Sequence, residues 1–254
     1  MKRFGWALAS IMSVASFGSA MAADLLVKAP PPPPVVYNWT GFYAGINIGG
    51  AWGKSSWCTD AFHANCATAP DDLVSQTPTD IVGGGQVGYR WQVSNWVIGV
   101  EGMYDALGLT QTSPSLVAPL RTRSTSFSNL ASVTGQVGYT WDRLLLFGKG
   151  GWATTKLVLD ANNLNPGGFD LRHSGWVDGW TAGVGLEYLV NDIISVGVQY
   201  NYYQFNASNI NNLINSGGNT IGCAFCNFGT TNVQTATATL NFKLNWAQPV
   251  VAKY

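Results

Sequence analysis

The sequence predicts an all-β chain, an eight-stranded antiparallel up-and-down transmembrane β-barrel. Three observations predict it. Charge is scarce and balanced: 13 Lys+Arg stand against 13 Asp+Glu in 254 residues, so 10% of the chain is charged, where a soluble domain averages roughly 25%. From Trp39 onward apolar and polar residues alternate with a two-residue period, and no helical period appears. The connections between the alternating segments are by turns short and long, which is the habit of membrane barrels. The composition also excludes other classes. The chain holds 11 Trp, 10 Tyr and 11 Phe, which argues against intrinsic disorder. An even charge balance argues against nucleic acid as a partner. After the N-terminus no apolar run reaches about 18 residues, so no spanning helix is expected there.

Lys2 and Arg3 precede the short apolar stretch Phe4 to Gly18, and Ala20-Met21-Ala22 is a small-x-small site. Residues 1–22 therefore read as a signal peptide cut between Ala22 and Ala23, which exports the chain and makes disulfides possible. Residues 23–38 contain the run Pro30 to Pro34. Such a run prefers the extended polyproline helix and cannot join a sheet ladder. It reads as a stiff periplasmic spacer, with a docking ligand for a periplasmic partner or cell-wall component as the sharper alternative.

Residues 39–246 hold eight candidate strands, justified by parity. In 41–52, Phe42, Ala44, Ile46, Ile48 and Trp52 share a face opposite Tyr43, Gly45, Asn47 and Gly49. In 81–93, Ile81, Val87, Tyr89, Trp91 and Val93 oppose Gln86, Gly88, Arg90 and Gln92. In 96–106, Trp96, Ile98, Val100 and Tyr104 oppose Val97, Glu101, Met103 and Asp105. In 127–141, Phe127, Ala131, Val133, Val137, Tyr139 and Trp141 oppose Ser132, Thr134, Gln136 and Thr140. In 144–154, Leu144, Leu146 and Trp152 oppose Leu145, Phe147 and Lys149. Trp180, Val184, Leu186 and Tyr188 oppose Thr181 and Glu187. Ile194, Val196, Val198, Tyr200 and Tyr202 oppose Ser195, Gln199 and Asn201. Ala236, Ala238, Leu240, Phe242, Leu244 and Trp246 oppose Thr235, Thr237, Thr239, Asn241 and Lys243.

Turns test this parity. A two-residue Ser94-Asn95 hairpin pairs Val93 with Trp96, and Asp142-Arg143 pairs Trp141 with Leu144. A Val190-Asn191-Asp192 turn pairs Tyr188 with Ile194. Each joins like face to like face, as a one-residue slip would not. Gly85-Gln86-Val87-Gly88-Tyr89-Arg90-Trp91 recurs 50 residues on as Gly135-Gln136-Val137-Gly138-Tyr139-Thr140-Trp141, the spacing of an up-and-down meander. Long polar loops are expected near 53–79, 107–124, 155–176 and 206–231, and the tail covers 247–254. With an even strand count, both termini fall on the short-turn, periplasmic side.

Aromatic residues mark both rims of the apolar face. Trp91, Trp96, Trp141, Tyr188 and Trp246 sit at the short-turn ends. Trp52, Tyr104, Phe127, Trp152, Trp180 and Tyr202 sit near the long-loop ends. Amphipathic rings favour bilayer interfaces, so two girdles are expected.

These features resemble the small outer-membrane β-barrel proteins of alphaproteobacteria, the outer-membrane immunogenic or porin-family group. The resemblance rests on the signal peptide, the Pro-rich start, Trp39-Thr40-Gly41-Phe42-Tyr43-Ala44-Gly45, the repeated Gly-Gln-Val-Gly-Tyr-x-Trp and the tail Pro249 to Tyr254. It spans essentially the whole chain. It implies an eight-stranded barrel of the OmpA-transmembrane type in the Gram-negative outer membrane, abundant at the cell surface and often antigenic. Barrels of this kind commonly end on an aromatic that closes the last strand. Here eight residues follow Trp246, so either Trp246 or Tyr254 fills that part.

On the face turned to the lumen lie Arg90, Glu101, Lys149, Glu187 and Lys243. An eight-stranded barrel is just wide enough for its side chains to fill it, and buried charges must pair, so an internal ion-pair network is expected. It serves as a structural plug or, alternatively, as a charged gate in a narrow pore. Cys58 and Cys66 share the first long loop, and Cys223 and Cys226 share the fourth. Local disulfides Cys58–Cys66 and Cys223–Cys226 are the first choice, with cross-loop bridges as the alternative. Gly83 to Gly88 matches a dinucleotide fingerprint but lies inside a strand with no helix to hold a pyrophosphate. His173-Ser174, near Asp170 and Asp178, could serve a lipid hydrolase, yet neighbours on an extended chain point apart. No cofactor, metal or catalytic residue is expected. The reading is therefore a structural or surface-interacting barrel, then a narrow porin-like channel, then a lipid-modifying enzyme. Expected partners are outer-membrane lipid, the barrel-assembly machinery during biogenesis, and a host or surface ligand at the loops.

Overall fold

The computed structural model describes residues 37–59, 72–114, 121–163, 170–206, 212–215, 220–222, 226–228 and 231–244. Its strands are β1 (Gly41–Thr59), β2 (Asp72–Gln76), β3 (Thr79–Val93), β4 (Trp96–Pro114), β5 (Arg121–Trp141), β6 (Leu144–Asn163), β7 (Leu171–Leu189), β8 (Ile194–Phe205), β9 (Asn212–Asn215), β10 (Thr220–Gly222), β11 (Cys226–Phe228) and β12 (Thr231–Leu244). Eight of them, β1, β3 to β8 and β12, form an antiparallel ring in which each pairs with its neighbours and β12 returns to β1. The remaining short strands extend the loop side: β2 and β11 pair with β1, β9 with β7, and β10 with β9.

Partners followed once round the ring run Tyr43, Gly88, Glu101, Thr134, Gly151, Thr181, Tyr203, Val233 and then Gly53, ten residues above the start on the same strand. Closure with a fixed stagger tilts the strands, and it leaves no edge with unpaired backbone groups in the hydrocarbon.

Two turns adopt the expected register, Val93 opposite Trp96 and Trp141 opposite Leu144. Ser94 and Asp142 open these turns with φ of 55° and 51°, left-handed conformations that match a tight turn to the strand twist. The third turn is longer than expected. Tyr188 lies opposite Val196, not Ile194. Asn191 sets the difference: its Oδ1 accepts from the amides of Ile193 and Ile194 at 2.9 and 2.7 Å, an Asx turn that takes up two more residues. A shift of two preserves facing.

Between the girdles the wall is apolar outside and polar inside. Phe42, Ile46, Ile48, Val87, Val100 and Val133 are each at least half exposed. Trp91, Trp96, Trp141 and Tyr188 sit at the short-turn rim, and Trp52, Tyr104, Trp152, Trp180 and Tyr202 at the other. Rings pair along both rims, as in Tyr139 between Trp96 and Trp141 (5.3 and 4.8 Å) and Trp180 with Tyr202 (5.6 Å). On β4 the girdles are eight residues apart, from Trp96 to Tyr104. That is about 26 Å of strand, or roughly 19 Å along the normal at a 45° tilt. Trp246 lies outside the described residues.

The strands outrun the expected ones, so much of the predicted loop regions 53–79, 107–124 and 155–176 is sheet. Beyond the outer girdle the polarity inverts. The outer surface becomes a ladder of hydroxyls, with Thr110 bonded to Ser126 and Thr112 to Ser124. The inside becomes apolar, with Leu109, Phe127, Leu157 and Phe205 at most 2% exposed. This upper section is built as a water-soluble barrel is, and its hydrophobic residues therefore fall on what looked like the polar face. Phe127 is corrected accordingly. It belongs to this inner cluster, not to the girdle, because a bulge between Phe127 and Leu130 turns β5 over by one residue.

Candidate functional site

The candidate site is the lumen, which side chains fill in layers. Parity alone brings them there: along each strand alternate residues point inward, and the tilt stacks contributions from different strands at one height.

Arg90 on β3 and Glu187 on β7 stand four strands apart in the ring and meet across it. Nη1 donates to Oε1 at 3.0 Å and Nη2 to Oε2 at 2.8 Å, both side chains being at most 3% exposed. This bidentate fork is the strong form of carboxylate recognition. Ser195 also donates to Glu187. The guanidinium lies over the Tyr43 ring at 4.1 Å and within 6 Å of the Trp39 and Phe147 rings, each presenting a negative face to the cation.

One layer up, Lys149 Nζ donates to Glu101 Oε1 at 2.8 Å and to Gln199 Oε1 at 2.5 Å. Tyr43 joins the layers: its hydroxyl donates to Glu101 Oε2 at 2.7 Å and accepts from Gln136 at 2.9 Å. Above this, Asn47 donates to Gln86 at 3.0 Å and to Asp105 at 2.8 Å, and Gln86 donates to Asn241 at 2.8 Å. Asp105 is fully buried yet receives an amide, not a cation, among the described contacts.

The polar layers are capped at both ends by apolar clusters. Outward lies the cluster with Leu109, Phe127 and Tyr203. Toward the short turns lie Trp39, Val97, Leu145, Phe147 and Leu189, with Tyr37 packed against them. Trp39 precedes β1 and turns inward as a cork, 4% exposed. Its amide donates to Gln92 Oε1 at 2.7 Å, and the Gln92 amide donates to Thr40 Oγ1 at 3.0 Å.

Four of the five expected lumen charges thus stand as two pairs. Lys243 does not join them: its ammonium donates to the backbone carbonyl of Asn38. It lies one residue from the strand end, where the segment that carries Asn38 and the buried Trp39 offers it a main-chain carbonyl. Glu101 is diagonal to Arg90, as expected from Arg90 opposite Gly99, but bonds Lys149 instead. The expected network of charges lacks Tyr43, Gln136, Gln199, Asn47, Asp105 and Trp39, which the structure adds to the lumen. Their signal was available, because all share the parity of the charges.

The repeat now has a physical reading. A Cβ at Gly88 would lie 2.5 Å from the Tyr43 hydroxyl oxygen, and one at Gly138 would lie 2.8 Å from Leu145 Cδ1. The second glycine of each copy makes room for a large lumen side chain.

Residues 10–245 match the family described as outer membrane protein beta-barrel domain. The chain belongs to this family. The 31 kDa outer-membrane immunogenic protein of Brucella melitensis is 34% identical over 78% of this chain and 86% of that protein. The 25 kDa outer-membrane immunogenic protein of Brucella canis is 29% identical over 75% of this chain and 79% of that protein. Among solved structures, the outer membrane protease OmpT of Escherichia coli aligns with a TM-score of 0.53 at 10% identity, over 84% of this chain and 99% of that chain. That likeness speaks for the fold alone. The protein is thus an outer-membrane β-barrel whose relatives are immunogenic proteins of that membrane.

Residues 1–36 with Ala22 and Ala23, and Cys66, Cys223 and Trp246, lie outside the described residues. The backbone register sets Cys58 opposite Asn227 and Thr59 opposite Cys226, so the first and fourth loops meet through β1 and β11. His173 and Ser174 sit side by side on β7, opposite Leu159 and Val158, and so address opposite faces of the wall.

Proposed function

We propose that this outer-membrane protein is a non-catalytic barrel with a structural and surface-exposed role, whose lumen is a structural plug and whose loop-side extensions form its interaction surface. The observation that carries the reading is the filled lumen: two ion pairs and an amide layer lie between two apolar clusters, with Trp39 at the periplasmic mouth. Ions crossing such a column would have to break charge-assisted bonds and enter apolar packing, both costly in a dry interior. The upper strands support the surface role, since they lift the loops clear of the bilayer on a polar wall. The names of the Brucella relatives accord with exposure to the outside. Within this reading residues 1–22 are removed at Ala22-Ala23, both termini are periplasmic, and disulfides within the first and fourth loops brace them. A barrel-assembly machinery inserts the chain.

The test is planar-bilayer recording on the pure refolded protein. The expected outcome is no stepwise conductance in molar KCl. Regular single-channel steps, abolished when Trp39 or Arg90 is enlarged or cross-linked, would replace the plug with a gated narrow channel.

A further inference from the structure

The lipid-facing wall is not evenly covered. Where Ala44, Val87, Gly102 and Val133 lie side by side across β1, β3, β4 and β5, the surface falls into a hollow of about 460 Å³, bounded toward the periplasm by Phe42 and Tyr89. A second hollow of about 490 Å³ shares those four floor residues and continues up to Tyr104 and Trp152 of the outer girdle. The floor is deep because Gly102 has no side chain: a Cβ there would meet nothing within 4 Å. The lower wall is firm, since Phe42 and Tyr89 pack edge to face at 4.5 Å. Together the hollows form a groove that reaches from Phe42 and Tyr89 to Tyr104 and Trp152.

We propose that this groove holds one acyl chain of a bilayer lipid as a site retained by the protein, distinct from the exchanging lipid around the rest of the barrel. The groove is continuous with the lipid interface that an outer-membrane barrel must have, and it opens between the two girdles, where the surroundings are hydrocarbon. Its outer lining is aliphatic and aromatic, so it rewards contact area and not hydrogen bonding. Its form also selects the occupant. A stable protein interface uses roughly 20–30 residues a side over a broad patch, and the rigid convex wall of a second barrel would bridge this groove and leave a void. A flexible chain follows it and regains the dispersion contacts that a void forfeits.

The experiment is native mass spectrometry of the refolded full chain in detergent, with palmitoyl-oleoyl phosphatidylethanolamine added in tenfold excess. Wild-type protein is expected to keep one lipid mass after activation strips the detergent. Gly102→Leu, which fills the floor, is expected to lower the lipid-bound fraction at least tenfold. Ala44→Leu fills the groove from the β1 side and gives a second reading if Gly102→Leu folds poorly by its unboiled gel migration. Gly50→Leu is the matched control: its Cβ also meets nothing within 4 Å, it faces outward, and it lies outside both hollows, so it should bind lipid as wild type does. Equal retention in Gly102→Leu and Gly50→Leu, or no lipid on wild type, overturns the proposal. So does a wild-type dimer mass that Gly102→Leu abolishes, which would make a second copy the occupant. None of these outcomes bears on conductance, so the plug reading stands or falls separately.

Discussion

At the scale of the residue, Arg90 shows how the lumen is held. It has a bidentate carboxylate, three aromatic faces and almost no solvent. Removing one partner leaves a buried charge unanswered, whereas replacing both with apolar groups does not. Arg90→Met is therefore expected to cost about 3–5 kcal/mol, and the double variant Arg90→Met/Glu187→Leu less than either single change. Urea titration of the refolded barrel in detergent micelles checks this; additive losses would show that the pair stands alone without coupling. The inward placement of Arg90, Glu101, Lys149 and Glu187 was legible in the sequence because parity is local. Which cation would meet which anion was not. Partner choice depends on strand tilt and stagger, which bring Arg90 to Glu187 across the ring and leave the nearer Glu101 to Lys149. Lys243 departs from the expected network for a related reason: its partner is the backbone carbonyl of Asn38, and main-chain acceptors carry no residue signature.

At the scale of the element, β5 changes phase along its length. Below its bulge Ser132, Thr134 and Gln136 face inward with even numbers; above it Phe127, Thr125 and Arg123 face inward with odd ones. A two-residue period cannot reveal a change of phase unless the residues on both sides are known to lie in one strand. The same strand leaves the bilayer near that point, where the alternation that hydrocarbon imposes ends and water imposes the opposite one. Cysteine accessibility separates the two phases. With the four native cysteines replaced by Ser, Ser126→Cys is expected to react with a water-soluble maleimide at least tenfold faster than Phe127→Cys. The reverse order would put Phe127 back in the outer girdle. The hairpins were easier to read, because Val93–Trp96 and Trp141–Leu144 close two-residue turns that fix register by themselves.

At the scale of the whole molecule, the fold was legible from texture alone. Charge is absent from one face between the girdles, turns alternate short and long, and the repeat recurs at one hairpin's distance. What texture could not supply was the interior's apolar ends. Trp39 shares lumen parity with Tyr43, but nothing local says that a chain will fold back over a barrel mouth. The closed ring predicts a familiar behaviour in gels. Unboiled protein from an outer-membrane fraction should migrate differently from boiled protein, since the ring persists in detergent until heated. Identical migration, or recovery only from the soluble fraction, would contradict a closed barrel.

The segment at the mouth has a temporal meaning as well as a spatial one. Trp39 is tied to Gln92 on β3, while the carbonyl of Asn38 is tied to Lys243 on β12, 205 residues away. These strands flank β1 on its two sides. Adjacent hairpins assemble early because their ends are close in the chain, and the joining of first strand to last comes late because its loop is longest. Only then does the mouth acquire both of its fastenings. The clasp is thus a record of completed assembly: a chain in which Lys243 holds the carbonyl of Asn38 has already found its own other end.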